Sequence, residues 1–212
     1  MVRAEAMHEI SGFDVGIRFV EDWDCWLRLA RRWQIWMVPE PLSYYRLNAH
    51  GHRNHAPLPA HVDAVHANIL RVLEQTFGNW PREQGDAVPI QARAYAREYL
   101  RHALVLYAVG RQAEGRSTWE QAIASYAGIA ANPAAVKAAI IACTTGYAMG
   151  LPRAERSKQI ARILADILSD LPQPVLSLRD QRSRLEAALL AELAFLAAQQ
   201  GDPVEARAWA LR

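Results

Sequence analysis

From about Leu58 to Arg212 the sequence is dominated by alanine and leucine, apolar residues recur at helical spacing, and glycine or proline punctuates the pattern. A chain written this way stacks short helices, each bounded by its glycine or proline punctuation. The pattern predicts helices over 59–78, 88–109, 112–128, 133–148, 153–169, 178–200 and 203–212. Asn132-Pro133 and Asp202-Pro203 each set a capping side chain before a proline at the first helical position, and Asp202 with Glu205 has capping-box spacing. Leu100–Ala124 and Leu189–Leu211 alternate helix, a Gly-Arg or Gly-Asp turn, and a second helix starting on small residues. Those two pieces are similar to tetratricopeptide hairpins, although no clean repeat period runs through the region. A hairpin array and an irregular helical bundle are both open at this point.

Before about Pro59 the texture is different: aromatic and irregular, with Trp23, Trp26, Trp33, Trp36, Tyr44 and Tyr45. Trp26, Leu29, Ala30 and Trp33 fall at i, i+3, i+4 and i+7, which predicts an amphipathic helix over 21–33 with Arg28, Arg31 and Arg32 mostly on its wetter side. Glu21, Asp22 and Asp24 suit the positive end of that helix. Around Pro39-Glu40-Pro41, the runs 34–38 and 42–46 favour two short strands joined by a stiff turn.

Four pieces stand in order here: Ile10-Ser11-Gly12-Phe13-Asp14, then Glu21-Asp22-Trp23-Asp24-Cys25-Trp26-Leu27-Arg28-Leu29-Ala30, then Val38-Pro39-Glu40-Pro41-Leu42, then Tyr44-Tyr45-Arg46-Leu47. Together they resemble the acceptor-side half of family 2 glycosyltransferases of the GT-A type, whose pattern is a Gly-Gly-Phe-Asp turn, a Glu-Asp-x-Asp helix start, a Val-Pro-x-Pro-Leu link and a Tyr-Arg strand. The resemblance runs roughly from Val2 to Arg53 and leaves the rest of the chain unexplained. It implies a mainly α protein, with a partial GT-A α/β segment over 1–56 and a helical region over 57–212.

The activity implied is inverting transfer of a sugar from a nucleotide-sugar donor to a glycan or other acceptor. Such transfer needs a carboxylate to take the proton of the attacking hydroxyl. By resemblance Asp22 is that base, with Asp24 next in line, Glu21 orienting the acceptor, and Trp23 touching it. Arg46 would contact phosphate or acceptor. The histidine that often follows the Tyr-Arg strand is replaced by Asn48, leaving His50 as the nearest residue for metal or diphosphate, with His52 and His55 in the same polar loop. Acidic residues also collect at helix starts for local electrostatic reasons alone. Asp22-Trp23-Asp24 has the outline of the family's metal-holding Asp-x-Asp, but that motif closes a hydrophobic strand, whereas a helix follows here. The nucleotide-binding half, which comes first in the family, is matched by no segment of this sequence. The expectation is a divalent metal, Mn or Mg, in the complete enzyme, none bound by this chain alone, and no turnover by this chain alone. A non-catalytic helical interaction protein carrying a glycosyltransferase remnant is the alternative, with a protein partner on the helical region.

Composition narrows the field. A formal charge of +2 offers no broad basic field for nucleic acid or an anionic membrane. Cys25 and Cys143 stand far apart without metal-ligand spacing, which fits a reducing, cytoplasmic setting. Arg3, Glu5, His8 and Glu9 rule a secretory signal out of the first residues. The least polar stretch, 134–151, is alanine-rich and reads as a buried helix rather than a membrane span. Lysine occurs only at 137 and 158 among 24 Lys and Arg, a bias that suggests a GC-rich bacterial genome.

Overall fold

The computed structural model describes residues 2–41, 59–80, 87–199 and 202–211. Among them the chain is mainly helical, with nine α-helices and no strand. They are α1 (Ala4–Glu9), α2 (Glu21–Ala30), α3 (Val62–Gly78), α4 (Val88–Ala108), α5 (Gln112–Ser125), α6 (Pro133–Met149), α7 (Arg153–Ser169), α8 (Arg182–Gln199) and α9 (Pro203–Ala210). No helix among the described residues is long and apolar enough to cross a membrane. The chain divides into two compact units, one of residues 1–46 and 63–94, the other of 47–62 and 95–212. The helix α3, read from sequence as the start of the helical region, therefore belongs with the first unit.

In the second unit the predicted helices are present with small shifts at their ends. Asn132 accepts from the Ala135 N–H at 3.1 Å and Asp202 from the Glu205 N–H at 2.8 Å, so both expected caps form. One helix stops short of 128, at Ser125, because Tyr126 turns extended and its ring folds over Gly128, where a Cβ would lie 2.5 Å from the ring. Leu185, Leu189, Leu193 and Ala197 recur every four residues as one fully buried stripe of α8. That stripe belongs to a continuous core with Ile160, Ile163, Leu164 and Ile167 of α7 and Val136 and Ile140 of α6. The hairpin α4–α5 turns at Gly110, whose φ of 85° suits only glycine well. At its crossing, a Cβ on Gly115 would sit 3.0 Å from the Tyr107 ring, so the small residue is what lets the helices meet. Tyr107 also meets Trp119 edge-on, with centroids 6.5 Å apart.

Helix C-termini leave carbonyls without partners, and arginines fill them. Arg162 donates to Tyr107 O at 3.3 Å and Ala108 O at 2.6 Å, closing α4. Arg179 donates to Leu168 O and Ser169 O, both at 2.6 Å, closing α7, and Arg156 reaches Leu151 O beyond α6. A planar guanidinium fork serves two adjacent carbonyls at once, which a lysine ammonium does less well. Arginine here is therefore a structural residue, whatever the genome's composition.

The first unit differs from expectation in its details. The segment 34–38 is not a strand: it is irregular, with Ile35, Trp36, Met37 and Val38 exposed. A strand is defined by ladder bonds to a neighbour, and no neighbouring strand exists among the described residues. The second expected strand, 42–46, lies outside them. The helix α2 ends at Ala30 rather than 33, and its buried side is Asp24, Cys25 and Leu29, not Trp26 and Ala30. Its phase is set by contact with Ala6, Met7 and Ile10 around α1, which leaves Trp26 exposed and draws in Arg28 and Arg31.

Candidate functional site

The turn after α1 is built on two consecutive left-handed residues, Ser11 at φ 60° and Gly12 at φ 68°. Gly12 N–H donates to Met7 O at 2.9 Å and Ser11 N–H to His8 O at 3.0 Å, the bonding of a helix that ends by reversing its backbone. Arg28 of α2 fastens this turn. Its Nη1 donates to Ile10 O at 2.5 Å and its Nη2 to Gly12 O at 2.8 Å, while its Nε donates to Asp24 Oδ2 at 2.8 Å. Asp24 is buried, so its charge is held by this pairing rather than by water.

Asp22 is placed differently. It lies in the first turn of α2 on the exposed side with Glu21 and Trp23, and its Oδ1 accepts from the Trp23 N–H at 2.7 Å. Val20 caps the helix without a side-chain bond, so the acidic residues are the ones that meet the positive helix end. Of the two carboxylates expected to do chemistry, Asp24 is paired inside the fold and Asp22 is exposed.

Arg31, one turn on, donates through Nη2 to Gln75 O at 2.9 Å and to Thr76 O of α3. Burial pushes its guanidinium pKa below the ordinary value. Asp14 accepts from the Gly16 N–H at 2.8 Å and pairs loosely with Arg71 at 3.6 Å. Between these pieces lies a cavity of about 410 Å³, bounded by the 10–14 turn, by Asp24, Arg28 and Arg31, and by Gln75, Thr76 and Asn79. Asp24 faces this cavity, whereas Glu21, Asp22 and Trp23 do not line it.

Arg46 and His50 lie outside the described residues. No three His, Cys, Asp or Glu side chains converge to hold a metal among the described ones. The α3 side of the cavity was not foreseen, because its polar residues sit in a helix read as part of a separate region. Gln75 and Asn79 come among other polar residues of that stretch, such as Asn68, Arg71 and Glu74, so nothing in the sequence singled them out. Comparison with protein families, with curated proteins and with solved structures finds no match for this chain.

Proposed function

We propose that the first region is the acceptor-side part of a family 2 GT-A glycosyltransferase catalytic domain, and that Asp22 is its general base. One observation carries the reading. The family's turn is Gly-Gly-Phe-Asp, and the corresponding Ser11 and Gly12 both hold left-handed φ, the conformation that two glycines exist to serve. This supports the resemblance, because left-handed φ is the region where glycine is favoured. Arg28 and Asp24 support it further by joining the turn to the Glu-Asp-x-Asp helix, so two of the four motif pieces form one structural unit.

In this reading Asp22 accepts the proton of the acceptor hydroxyl as it attacks the anomeric carbon, with Trp23 and Glu21 beside it to orient the acceptor. Asp24 is a positioning residue that fixes the helix start. Arg46 and His50 keep their proposed roles at phosphate and metal. The family's metal motif belongs to the nucleotide-binding half, so donor and cation are assigned mainly to that half, with His50 as this chain's contribution. The helical unit is an extension without a catalytic part. A non-catalytic interaction protein remains the second reading, favoured by the larger continuous core of that unit.

The test joins this chain to a nucleotide-binding half and assays transfer. Asp22→Asn should lower turnover roughly 10²–10⁴-fold with donor binding unchanged. The chain alone should bind no nucleotide sugar by calorimetry with Mn or Mg present. Full turnover in the joined Asp22→Asn enzyme would overturn the assignment.

A further inference from the structure

We infer that residues 34–38 pair with the same residues of a second copy of this chain, forming an antiparallel two-stranded ribbon about a two-fold axis. The run is Gln34-Ile35-Trp36-Met37-Val38, in which isoleucine, tryptophan and valine favour strand and no charge, glycine or proline interrupts. Trp36 keeps 82% of its surface and Met37 91%, with Ile35 and Val38 more than half exposed. No hydrogen bond joins the backbone of 34–38 to another described residue. Four consecutive apolar side chains in water, on a backbone with N–H and C=O groups to offer, are what an added strand covers and bonds at once.

Symmetry and charge select a second copy as the partner. In an antiparallel pair, directly opposite residues project from the same face, while neighbours along one strand alternate faces. A two-fold axis keeps each residue on the same face as its counterpart in the other copy, so the axis passes beside a residue and not between two. Centred on Trp36, the pairing sets Gln34 opposite Val38, Ile35 opposite Met37 and Trp36 opposite Trp36, and the whole run is used. A centre on Ile35 or Met37 leaves part of the run with no strand residue opposite.

Just beyond the ends, the same register sets Trp33 opposite Pro39 and Arg32 opposite Glu40. Pro39 has no N–H to donate, and the Trp33 N–H is already bonded to Leu29 O at 2.9 Å, so the ladder closes there. Arg32 and Glu40 are both exposed and opposite in sign, and the symmetry brings them together at each end of the ribbon. Arg32 already meets Glu9 at 3.0 Å in an exposed ion pair, which is weak enough for Glu40 of the other copy to share. The two tryptophans on the axis supply the largest apolar contact, an aromatic cross-strand pair. Five residues a side make a weak joint, so association is reversible and depends on concentration.

Sedimentation equilibrium of the 212-residue chain over a dilution series should show a monomer–dimer equilibrium, with hydrogen exchange at 34–38 slowing as the dimer forms. Successive N–H groups of a strand point to alternate sides, so one of Met37→Pro and Val38→Pro takes a donor out of the ladder. That variant should abolish the dimer while circular dichroism keeps the helical signal. Glu40→Arg sets like charges opposite each other at both ends and should weaken association roughly tenfold, and adding Arg32→Glu should restore it. The ribbon uses neither Asp22 nor the transfer proposed above, so Asp22→Asn should leave the dimer intact. A chain that is monomeric at every concentration would overturn the inference, whether 34–38 stays open, pairs within the chain, or pairs only after a nucleotide-binding half is joined. So would a dimer indifferent to both prolines, or a Glu40→Arg loss that Arg32→Glu does not rescue.

Discussion

In the second unit a stripe of Leu185, Leu189 and Leu193 is buried without exposure and joins α6, α7 and α8 in one continuous core, whereas the first buries smaller groups, Ala6, Cys25 and Leu29 between α1 and α2 and Ile69, Val72 and Leu73 on α3. The first unit makes up part of the difference with direction rather than area. Arg28 and Arg31 between them reach four backbone carbonyls and one carboxylate. Apolar burial is forgiving of small displacements, while a forked guanidinium bonded to a turn fixes that turn in one place. A segment that has to hold a reacting carboxylate at a helix start has use for the second kind of stability, and a stack of helices has use for the first.

The largest effect expected from this contrast is in the second unit. Leu189→Ala removes a fully buried side chain in the middle of the α8 stripe and should cost about 2–5 kcal/mol, read as a lowered urea midpoint. A cost well under 1 kcal/mol would mean that the apparent core is loosely packed, and the contrast would fail.

Next comes the clamp. Asp24→Ala leaves Arg28 without its buried partner, and because Arg28 is about a quarter exposed the cost is set at about 2–3 kcal/mol. The two free cysteines lie one in each unit, Cys25 buried in the first and Cys143 partly buried in the second. Cys25 has no exposed surface, so a thiol reagent reaches it only when the first unit opens. Asp24→Ala should speed its labelling by roughly 30–150-fold while Cys143 labelling is unchanged. Equal acceleration at both thiols would show that the chain opens as one body and would remove the distinction between units.

Alkaline pH acts on both units, because burial raises the Cys25 thiol of the first as well as groups in the second. Burial pushes the Cys143 thiol from its ordinary 9.0 up to about 12, and burial followed by the neighbouring Asp170 raises the Tyr107 hydroxyl as well. Both are acids that keep their protons longer when folded. Their contribution is whole below the unfolded value and is lost as pH climbs towards the folded one. Cys143 should therefore cost the second unit about 1.4 kcal/mol per pH unit above 9. Cys143→Ala should flatten the slope between urea midpoints at pH 8 and pH 10, and an unchanged slope would place the effect elsewhere.

Much of the helical unit was legible because its cues are local. Asn132-Pro133 and Asp202-Pro203 name their own helix starts, and the caps they form need nothing from elsewhere in the chain. The first unit was harder because its decisive bonds are long-range. Trp26 looked buried by spacing, but the packing of Cys25 and Leu29 against Ala6, Met7 and Ile10, held by the Arg28 bonds to Ile10 O and Gly12 O, sets the rotation of α2, and no periodicity records that. The motifs located Asp22 and Asp24 on one helix start without telling which faces inward. The cavity's far wall, Gln75 and Asn79, comes from a helix more than forty residues away in sequence and was invisible for that reason.

The smallest effect tests the turn on which the functional reading rests. Ser11 holds φ 60° with no hydrogen bond from its side chain to offset the strain, in a position where the glycosyltransferase pattern has glycine. A non-glycine residue in the left-handed region costs roughly 1–2 kcal/mol, and glycine removes that cost while adding back about 0.5–1 kcal/mol of unfolded-state entropy. Ser11→Gly should therefore stabilise the first unit by about 0.5–1 kcal/mol, seen as slower Cys25 labelling with Cys143 unaffected. Gly12→Ala, at φ 68° with open space around its missing Cβ, should do the opposite, because the strain there is purely backbone. If Ser11→Gly weakened the unit instead, the left-handed turn would not be the conformation in solution, and the structural support for the Gly-Gly-Phe-Asp resemblance would go with it.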